Sequence, residues 1–419
     1  VGRIVVNGGV KLKGEIPVEG SKNAVLPILA ATILNEGVSL IRNCPRLKDV
    51  EVMGRILVSI GCKVRVGGDT IEVDASNLSS TRIPEDLATE MRSSIIFLGP
   101  VLARGGKVTI SYPGGCEIGP RPIDLHIKAL RSMGAKIHDT QHGFIYCEAE
   151  RLKGCEIQLD YPSVGATENI MLAAAFAEGE TLIRNAAKEP EIVDLQNFLI
   201  TMGVDVSGAG TSGIQIVGGK RIHRDVEYNI MPDRIVAGTY MVASAITGGD
   251  VFIKNIVPEH IGSIVANLRD CGCRINVKKN FLHISGPARP KAIDTIRTLP
   301  FPGFPTDMQA QMVALLSIAS GTSIVVETVF ESRYKHVEEL IRMGANIKLE
   351  GRISVIKGIK RLKGASVYAR DLRGGAALIL AGLIADDETI VNDTKHIDRG
   401  YEEIEKKLAL AGAIIKREE

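Results

Sequence analysis

The stretch Tyr112 to Asp124 reads YPGGCEIGPRPID. Its glycines and prolines favour a loop over a helix or a strand. A cysteine on such a loop is expected to be exposed, and Arg121, five residues on, favours its thiolate. A reactive thiol at Cys116 is the chemistry this pattern offers; the ordinary alternative is a turn carrying an inert free thiol. Three further stretches hold polar groups in similar settings. SKNAVLP puts Lys22 and Asn23 ahead of an apolar run, and FPTDMQAQ does the same for Asp307. A carboxylate there is either a helix cap or a general base. DRGYE carries Arg399, shortly after His396. Taken singly, each reads as a cap or a solvated charge. His126 and His396 stand alone and read as structural histidines. No GxGxxG, P-loop or HExxH pattern occurs, so nucleotide hydride chemistry, Walker-type ATP use and metalloprotease chemistry lose their usual support.

These residues must be positioned by something, and the chain supplies it by repetition. A Gly or Asp, a short β-branched strand and a polar residue recur as GVSLIRN, GKVTISY, GETLIRN, GDVFIKN, GTSIVVE and DETIVND, ending at Asn43, Tyr112, Asn185, Asn255, Glu327 and Asp393. The end points are 69, 73, 70, 72 and 66 residues apart. Each copy is followed by an amphipathic helix, a glycine (Gly61, Gly134, Gly203, Gly272, Gly344, Gly412) and another strand. Each is preceded by a helix that is apolar on all sides, such as AVLPILAATIL or AALILAGLIA, and is therefore expected to be buried. Alternating strands and helices predict α/β or α+β layers, here with helices inside and sheets outside, the reverse of a TIM barrel. Six units of about 70 residues exceed one core, which predicts two domains of three repeats with a boundary near residues 228–232.

The chemically interesting residues gather at the fronts of those buried helices. They are Ser21, Lys22 and Asn23; Glu90, Met91 and Arg92; Ser163, Gly165, Thr167 and Glu168; Asp233 and Arg234; Thr306 and Asp307; Asp371 and Arg373. Arg92, Asp307 and Arg373 each precede the residue opening their strand by 14 positions. Helix N-termini carry free N–H groups and a partial positive charge, so a cluster of them accepts anions. Lys22, Arg92, Arg121, Arg373 and Arg399 strengthen that expectation towards phosphates or carboxylates.

Composition bounds the alternatives. The 419 residues carry 51 Lys and Arg against 49 Asp and Glu, a formal net charge of +2, which gives no bulk reason to expect a nucleic acid or a membrane as partner. There is no Trp and aromatics are 4%, which argues against a stacking surface for single strands. Seven cysteines without a CxxC pair suggest neither zinc nor a disulfide framework. No charged-then-apolar leader opens the sequence and its apolar runs are interrupted, so a soluble cytoplasmic protein is expected.

The segments PVEGSKNA, EMRSS, GGCEIGPRPIDLH, SVGATEN, AKEPEIVDL, MPDR, FPTDMQAQ, ETVFESR, DLR and HIDRGYE occur in this order across the whole chain. In them the sequence resembles the UDP-N-acetylglucosamine 1-carboxyvinyltransferase family of enolpyruvyl transferases, within the EPSP synthase superfamily. The resemblance implies a two-domain inside-out α/β barrel with domains at 21–231 and at 1–20 plus 232–419, and an active site in the cleft between them. It implies transfer of the enolpyruvyl group of phosphoenolpyruvate to the 3-hydroxyl of UDP-N-acetylglucosamine with release of phosphate. That reaction is the first committed step of peptidoglycan synthesis, hence of cell-wall biogenesis, cell shape and division. By the same resemblance Lys22, Asn23, Arg121 and Arg399 bind phosphoenolpyruvate. Asn23, Arg92, Arg121, Pro122, Ile123, Asp124, Leu125, Ser163, Val164, Gly165, Asp307 and Val329 hold the UDP-sugar. Cys116 is the proton donor, forms a covalent adduct with phosphoenolpyruvate and is the fosfomycin target, while Asp307 takes the hydroxyl proton. Asp371, Arg373, Glu189 and Asp233 support the site. No cofactor or metal is implied, the partners are the two substrates, and a monomer is expected. Tyr161-Pro162 departs from members that carry a lysine and an apolar residue before the Ser-Val-Gly run, and Ile96 from members with an aromatic there; neither touches the chemistry. The rival activity is 5-enolpyruvylshikimate 3-phosphate synthase, against which the cysteine loop and SVGATEN argue. The rival from another class is a catalytically silent UDP-sugar-binding regulator, against which intact Lys22, Cys116, Asp307 and Arg399 argue.

Overall fold

The computed structural model describes residues 2–114, 118, 122–139 and 143–418. Cys116 and Arg121 lie outside the described residues. Contacts divide the chain into two compact units, one of residues 20–114 and 122–231, the other of residues 2–19, 118 and 232–418.

Each unit repeats one arrangement three times. An apolar helix runs through the interior, a strand follows it, and an amphipathic helix and a hairpin close the repeat. The interior helices are Lys22–Ala31, Leu98–Gly105 and Val164–Ala174 in the first unit. In the second they are Arg234–Thr247, Gln309–Leu316 and Leu372–Gly382. Every residue of Arg234–Thr247 and of Gln309–Leu316 is buried, as the lack of a polar stripe requires. The outer helices are one-sided: in Lys335–Arg342 it is His336, Val337, Glu339 and Leu340 that turn inwards.

Five sheets have four strands among the described residues and one has three. In the fifth repeat Thr322–Val326 pairs antiparallel with Ile353–Lys357, in the register Ile324↔Val355, and parallel with Thr295–Arg297. Alternation of buried and exposed residues along Val38–Arg42 and Glu388–Asn392 shows one face of each sheet packed on the helices and one facing water. The three-stranded sheet has only an isolated bridge, Arg82↔Thr109, in place of its parallel strand.

Two positions in the repeat explain why it was readable. The glycines ending the outer helices all have positive φ, from 89° at Gly412 to 110° at Gly61, a conformation that side chains resist. Asn43, Asn185, Asn255 and Asp393, which end the strand motif, are also left-handed, with φ of 57°, 54°, 61° and 59°. Asn and Asp tolerate this region better than other non-glycine residues.

Each unit is closed by a strand from a distant part of the chain. Val226–Asn229 lies parallel to Val38–Arg42 in the sheet of the first repeat. Arg3–Asn7 sits between Glu388–Asn392 and Ile414–Glu418 in that of the sixth, and Lys13–Pro17 joins Asp250–Lys254 in that of the fourth.

Candidate active site

The fronts of the interior helices do not all use their polar residues alike. Ser163, Asp233 and Asp371 are caps. Ser163 Oγ accepts from Ala166 N, Asp233 Oδ1 from Ile235 N and Val236 N, and Asp371 Oδ1 from Arg373 N and Gly374 N. For Asp233 this is the ordinary reading of an acid at a helix start. Asp307 is different. It lies in a 3-10 turn, Thr306–Met308, just before Gln309–Leu316, and caps nothing. Its Oδ1 instead accepts from Arg333 Nη2 at 2.6 Å and its Oδ2 from Arg373 Nη2 at 3.3 Å.

Arg333 and Arg373 are almost wholly buried, whereas a quarter of the Asp307 side chain remains exposed. Burial alone would raise the Asp307 carboxyl. The adjacent guanidiniums of Arg333 and Arg373 overcome that and hold it well below the usual carboxylate range. Arg373 stays charged despite burial because Tyr401, Asp307 and Asp233 surround it, and its Cζ lies 5.3 Å from the centre of the Tyr401 ring. Among the described residues, Arg333 Nε and Arg373 Nε and Nη1 are buried without an acceptor, as is Asp371 Oδ2 without a donor. Buried N–H groups of this kind suit an anionic ligand.

Behind Asp307, Gln311 Nε2 donates to the Asp307 carbonyl at 2.9 Å and to Thr239 Oγ1 at 3.1 Å; Thr239 and Tyr401 share a further hydrogen bond at 2.9 Å. Val329 N donates to Glu327 Oε1 at 2.8 Å. Arg399 ends the 3-10 helix Thr394–Arg399 and is half-buried; burial first, then Lys395 and Arg399, lower the His396 pKa.

In the first unit, Lys22 opens the first interior helix and forms a buried ion pair, its Nζ 2.8 Å from Asp49 Oδ2. The approach to it is tight. A Cβ at Gly20 would lie 1.8 Å from the Asn43 carbonyl oxygen, so only glycine fits. Asn23 follows, half-buried. Arg92 opens the 3-10 helix Arg92–Phe97 that leads into the second interior helix.

One pair of side chains ties the remaining predicted positions together. Asn169 Nδ2 meets His126 Nδ1 at 2.8 Å and donates to the Ile95 carbonyl at 2.9 Å, and its Oδ1 accepts from Gly99 N at 2.7 Å. His126 sits on the helix that begins at Asp124, and its ring faces Gly165. The fronts carrying Arg92, Asp124 and Leu125, and Ser163 to Gly165 are thus joined through one buried amide. Burial, and then Arg92, lower the His126 pKa to about 4, so it is neutral and structural. Pro122 is exposed and Ile123 buried. Glu189 precedes the helix Pro190–Met202; burial, Glu191 and Glu189 push the buried Glu168 well above the usual carboxylate range.

Sequence reasoning missed Asp49, Arg333 and Glu327. Asp49 lies in the unremarkable run RLKDVEV, but the other two stand in ETVFESR, a segment singled out without a role for either acid or arginine. Among the described residues no group of three or more His, Cys, Asp or Glu side chains is disposed to hold a metal ion, and no helix is long and apolar enough to cross a membrane.

Comparison with known proteins identifies the family and the fold. The family model for EPSP synthase (3-phosphoshikimate 1-carboxyvinyltransferase) matches residues 6–408. UDP-N-acetylglucosamine 1-carboxyvinyltransferase 2 of Caldanaerobacter subterraneus subsp. tengcongensis is 55% identical over 417 residues, covering 100% of both chains. UDP-N-acetylglucosamine 1-carboxyvinyltransferase 1 of Symbiobacterium thermophilum is 52% identical, covering 99% of this chain and 95% of its own. Among solved structures, the enolpyruvyl transferase NikO from Streptomyces tendae superposes with a TM-score of 0.89 at 24% identity, over 99% of this chain and 98% of its own. EPSP synthase from Acinetobacter baumannii gives 0.77 at 20%, over 100% of each chain. The last two establish the fold, the inside-out arrangement of sheets around buried helices. With a family model spanning nearly the whole chain and full-length relatives at half identity or more, the chain belongs to the enolpyruvyl transferases of the EPSP synthase family.

Proposed function

We infer that this chain transfers the enolpyruvyl group of phosphoenolpyruvate to the 3-hydroxyl of UDP-N-acetylglucosamine, releasing phosphate. The observation that carries this reading is the 55% identity, over 100% of both chains, to a protein named for that activity. The Asp307 site is compatible with it. In an addition–elimination, a proton is delivered to the methylene carbon of phosphoenolpyruvate, which becomes a methyl group; the hydroxyl oxygen bonds to the neighbouring cationic carbon as its own proton passes to Asp307; and a proton then leaves the methyl group as the C–O bond to phosphate breaks, restoring the C=C bond. The hydroxyl becomes strongly acidic only as its oxygen bonds to the cationic carbon. A carboxylate held ionised by Arg333 and Arg373 is therefore basic enough at the moment it is needed, and its charge stabilises the cation before that.

In this reading Lys22, Asn23, Arg121 and Arg399 bind phosphoenolpyruvate, and Lys22 and Arg399 offset charge on the departing phosphate. Arg92, Pro122 to Leu125, Ser163 to Gly165 and Val329 line the UDP-sugar. Cys116 supplies the proton, and alkylation by the epoxide fosfomycin should fall on it. Asp371, Arg373, Glu189 and Asp233 support these groups. The product would enter peptidoglycan synthesis in the cytoplasm. The test is phosphate release by the purified chain. Release is expected only when phosphoenolpyruvate and UDP-N-acetylglucosamine are both present. Comparable release with shikimate 3-phosphate as acceptor, or none with either, would replace this reading.

A further inference from the structure

We propose that Glu327 is a positioning residue for the reaction: its carboxylate couples the pose of Asp307 to that of the Val329 segment. The proposal rests on the reading of Asp307 and Val329 given above.

The repeats provide an internal control. Glu327 stands six residues after Gly321, where the first, third and fourth repeats place Asn43, Asn185 and Asn255 six residues after their glycines. Those three asparagines are left-handed and act as donors. Their Nδ2 groups bond the carbonyls of Ile230, Leu159 and Val18 at 2.8, 2.9 and 2.7 Å. The fold is therefore satisfied at this place by a neutral amide that binds a carbonyl. In the fifth repeat, the one that carries Asp307, the position holds an acceptor that is 0% exposed. Burying a carboxylate is costly unless donors surround it, so its donors show what it is for.

There are four. Oε1 accepts from Thr298 Oγ1 at 3.0 Å, Val329 N at 2.8 Å and Phe330 N at 3.1 Å. Oε2 accepts from Thr306 Oγ1 at 2.9 Å. Thr306 spends its only proton on Glu327, so its oxygen is turned to accept from Arg333 Nη1 at 3.2 Å. Arg333 Nη2 then donates to Asp307 Oδ1 at 2.6 Å. Arg333 can only donate, so its bonds to Thr306 and Asp307 run one way, and an acceptor at Glu327 takes the one proton that Thr306 has to give. The other carboxylate oxygen orders the backbone of Val329 and Phe330. One buried group thus sets both the base and the segment assigned to the acceptor sugar.

The experiment is a double-mutant cycle on kcat/KM for UDP-N-acetylglucosamine with Glu327→Gln, Thr306→Val and the pair. Thr306→Ser, which keeps the hydroxyl, and Asp307→Asn serve as further arms. Glu327→Gln puts an N–H₂ or a weaker acceptor against Thr306, and a loss of about tenfold or more is expected for each single change. The pair should lose no more than the worse single change, because both break one chain of bonds. Thr306→Ser should retain activity within roughly threefold, an outcome that a packing role for Thr306 would not produce. Losses that multiply in the pair, or near-normal kcat/KM in Glu327→Gln, overturn the proposal. If Glu327→Gln does not fold, the contrast between Thr306→Val and Thr306→Ser decides, and equal loss in both overturns it. Normal turnover by Asp307→Asn would instead overturn the reading of Asp307 as base. An inactive Asp307→Asn beside an active Glu327→Gln removes the coupling alone.

Discussion

Glu19 offers a direct test of the electrostatics of the second unit. The residue is 9% exposed, and among the described residues neither carboxylate oxygen has a side-chain or main-chain donor from another residue. Lys407 Nζ stands 4.0 Å from Oε2, while Asp233, Glu402 and the Tyr240 hydroxyl add nothing favourable to a negative charge. Burial therefore dominates, only partly opposed by Lys407 and by Glu19's own backbone N–H, and raises the pKa from 4.5 to about 7. Below pH 4.5 the group is protonated whether the chain is folded or not, and it contributes no pH dependence. Between 4.5 and about 7 the unfolded chain gives up the proton and the folded chain keeps it. Stability must then fall as pH rises, and the full penalty is present above the folded pKa. At about 1.4 kcal/mol per pH unit, that interval is worth about 3 kcal/mol. Glu19→Gln removes the ionisation and keeps the shape. Urea unfolding at pH 4 and pH 8 should show equal stabilities at the lower pH, and the variant more stable by about 3 kcal/mol at the higher. Parallel pH curves for the two proteins, or a variant weaker at pH 8, would refute the reasoning.

Two other perturbations follow from the geometry. Arg333→Met removes the closer of the two guanidiniums that bond Asp307 while Arg373 stays, so a loss of about 3 kcal/mol in urea unfolding is expected, at the lower end for breaking a buried pair; a loss below about 1 kcal/mol would show that the remaining positive charge suffices. Gly20→Ala drives a methyl group into the Asn43 carbonyl and should displace Lys22 from Asp49, read as a raised KM for phosphoenolpyruvate, and an unaltered KM would show that the turn gives way without cost to Lys22.

The repeat architecture was legible because it is written in residues with local conformational demands. Gly61, Gly134, Gly203, Gly272, Gly344 and Gly412 sit where φ is positive, and Asn43, Asn185 and Asn255 where an amide must both tolerate that region and bond a carbonyl. Such needs act within a few residues, so they leave a mark on the sequence. The difference between Asp307 and Asp371 left none. Both precede apolar helices, but one is a cap and the other is held by two arginines. Arg333 reaches Asp307 from 26 residues away and Arg373 from 66. A spacing pattern has no access to a partner chosen by tertiary packing. The same holds for Glu19, which stands in PVEGSK like any surface acid and is buried only because the strand before it joins a sheet formed by residues more than two hundred positions on.

Strand closure by distant segments also has a consequence for how the chain is made. Arg3–Asn7 finds its two neighbours only at Glu388–Asn392 and Ile414–Glu418. At roughly 5–20 residues added per second, this apolar strand waits on the order of tens of seconds on the ribosome before its partners exist. In the first unit the wait is about half as long, since Val226–Asn229 reaches Val38–Arg42 after roughly half that number of residues. Vectorial translation therefore favours an order of assembly in which the first unit is finished early. Arg3–Asn7 is made long before either of its neighbours and is among the last strands to find its place, and in that interval it depends on chaperones or on its own solubility.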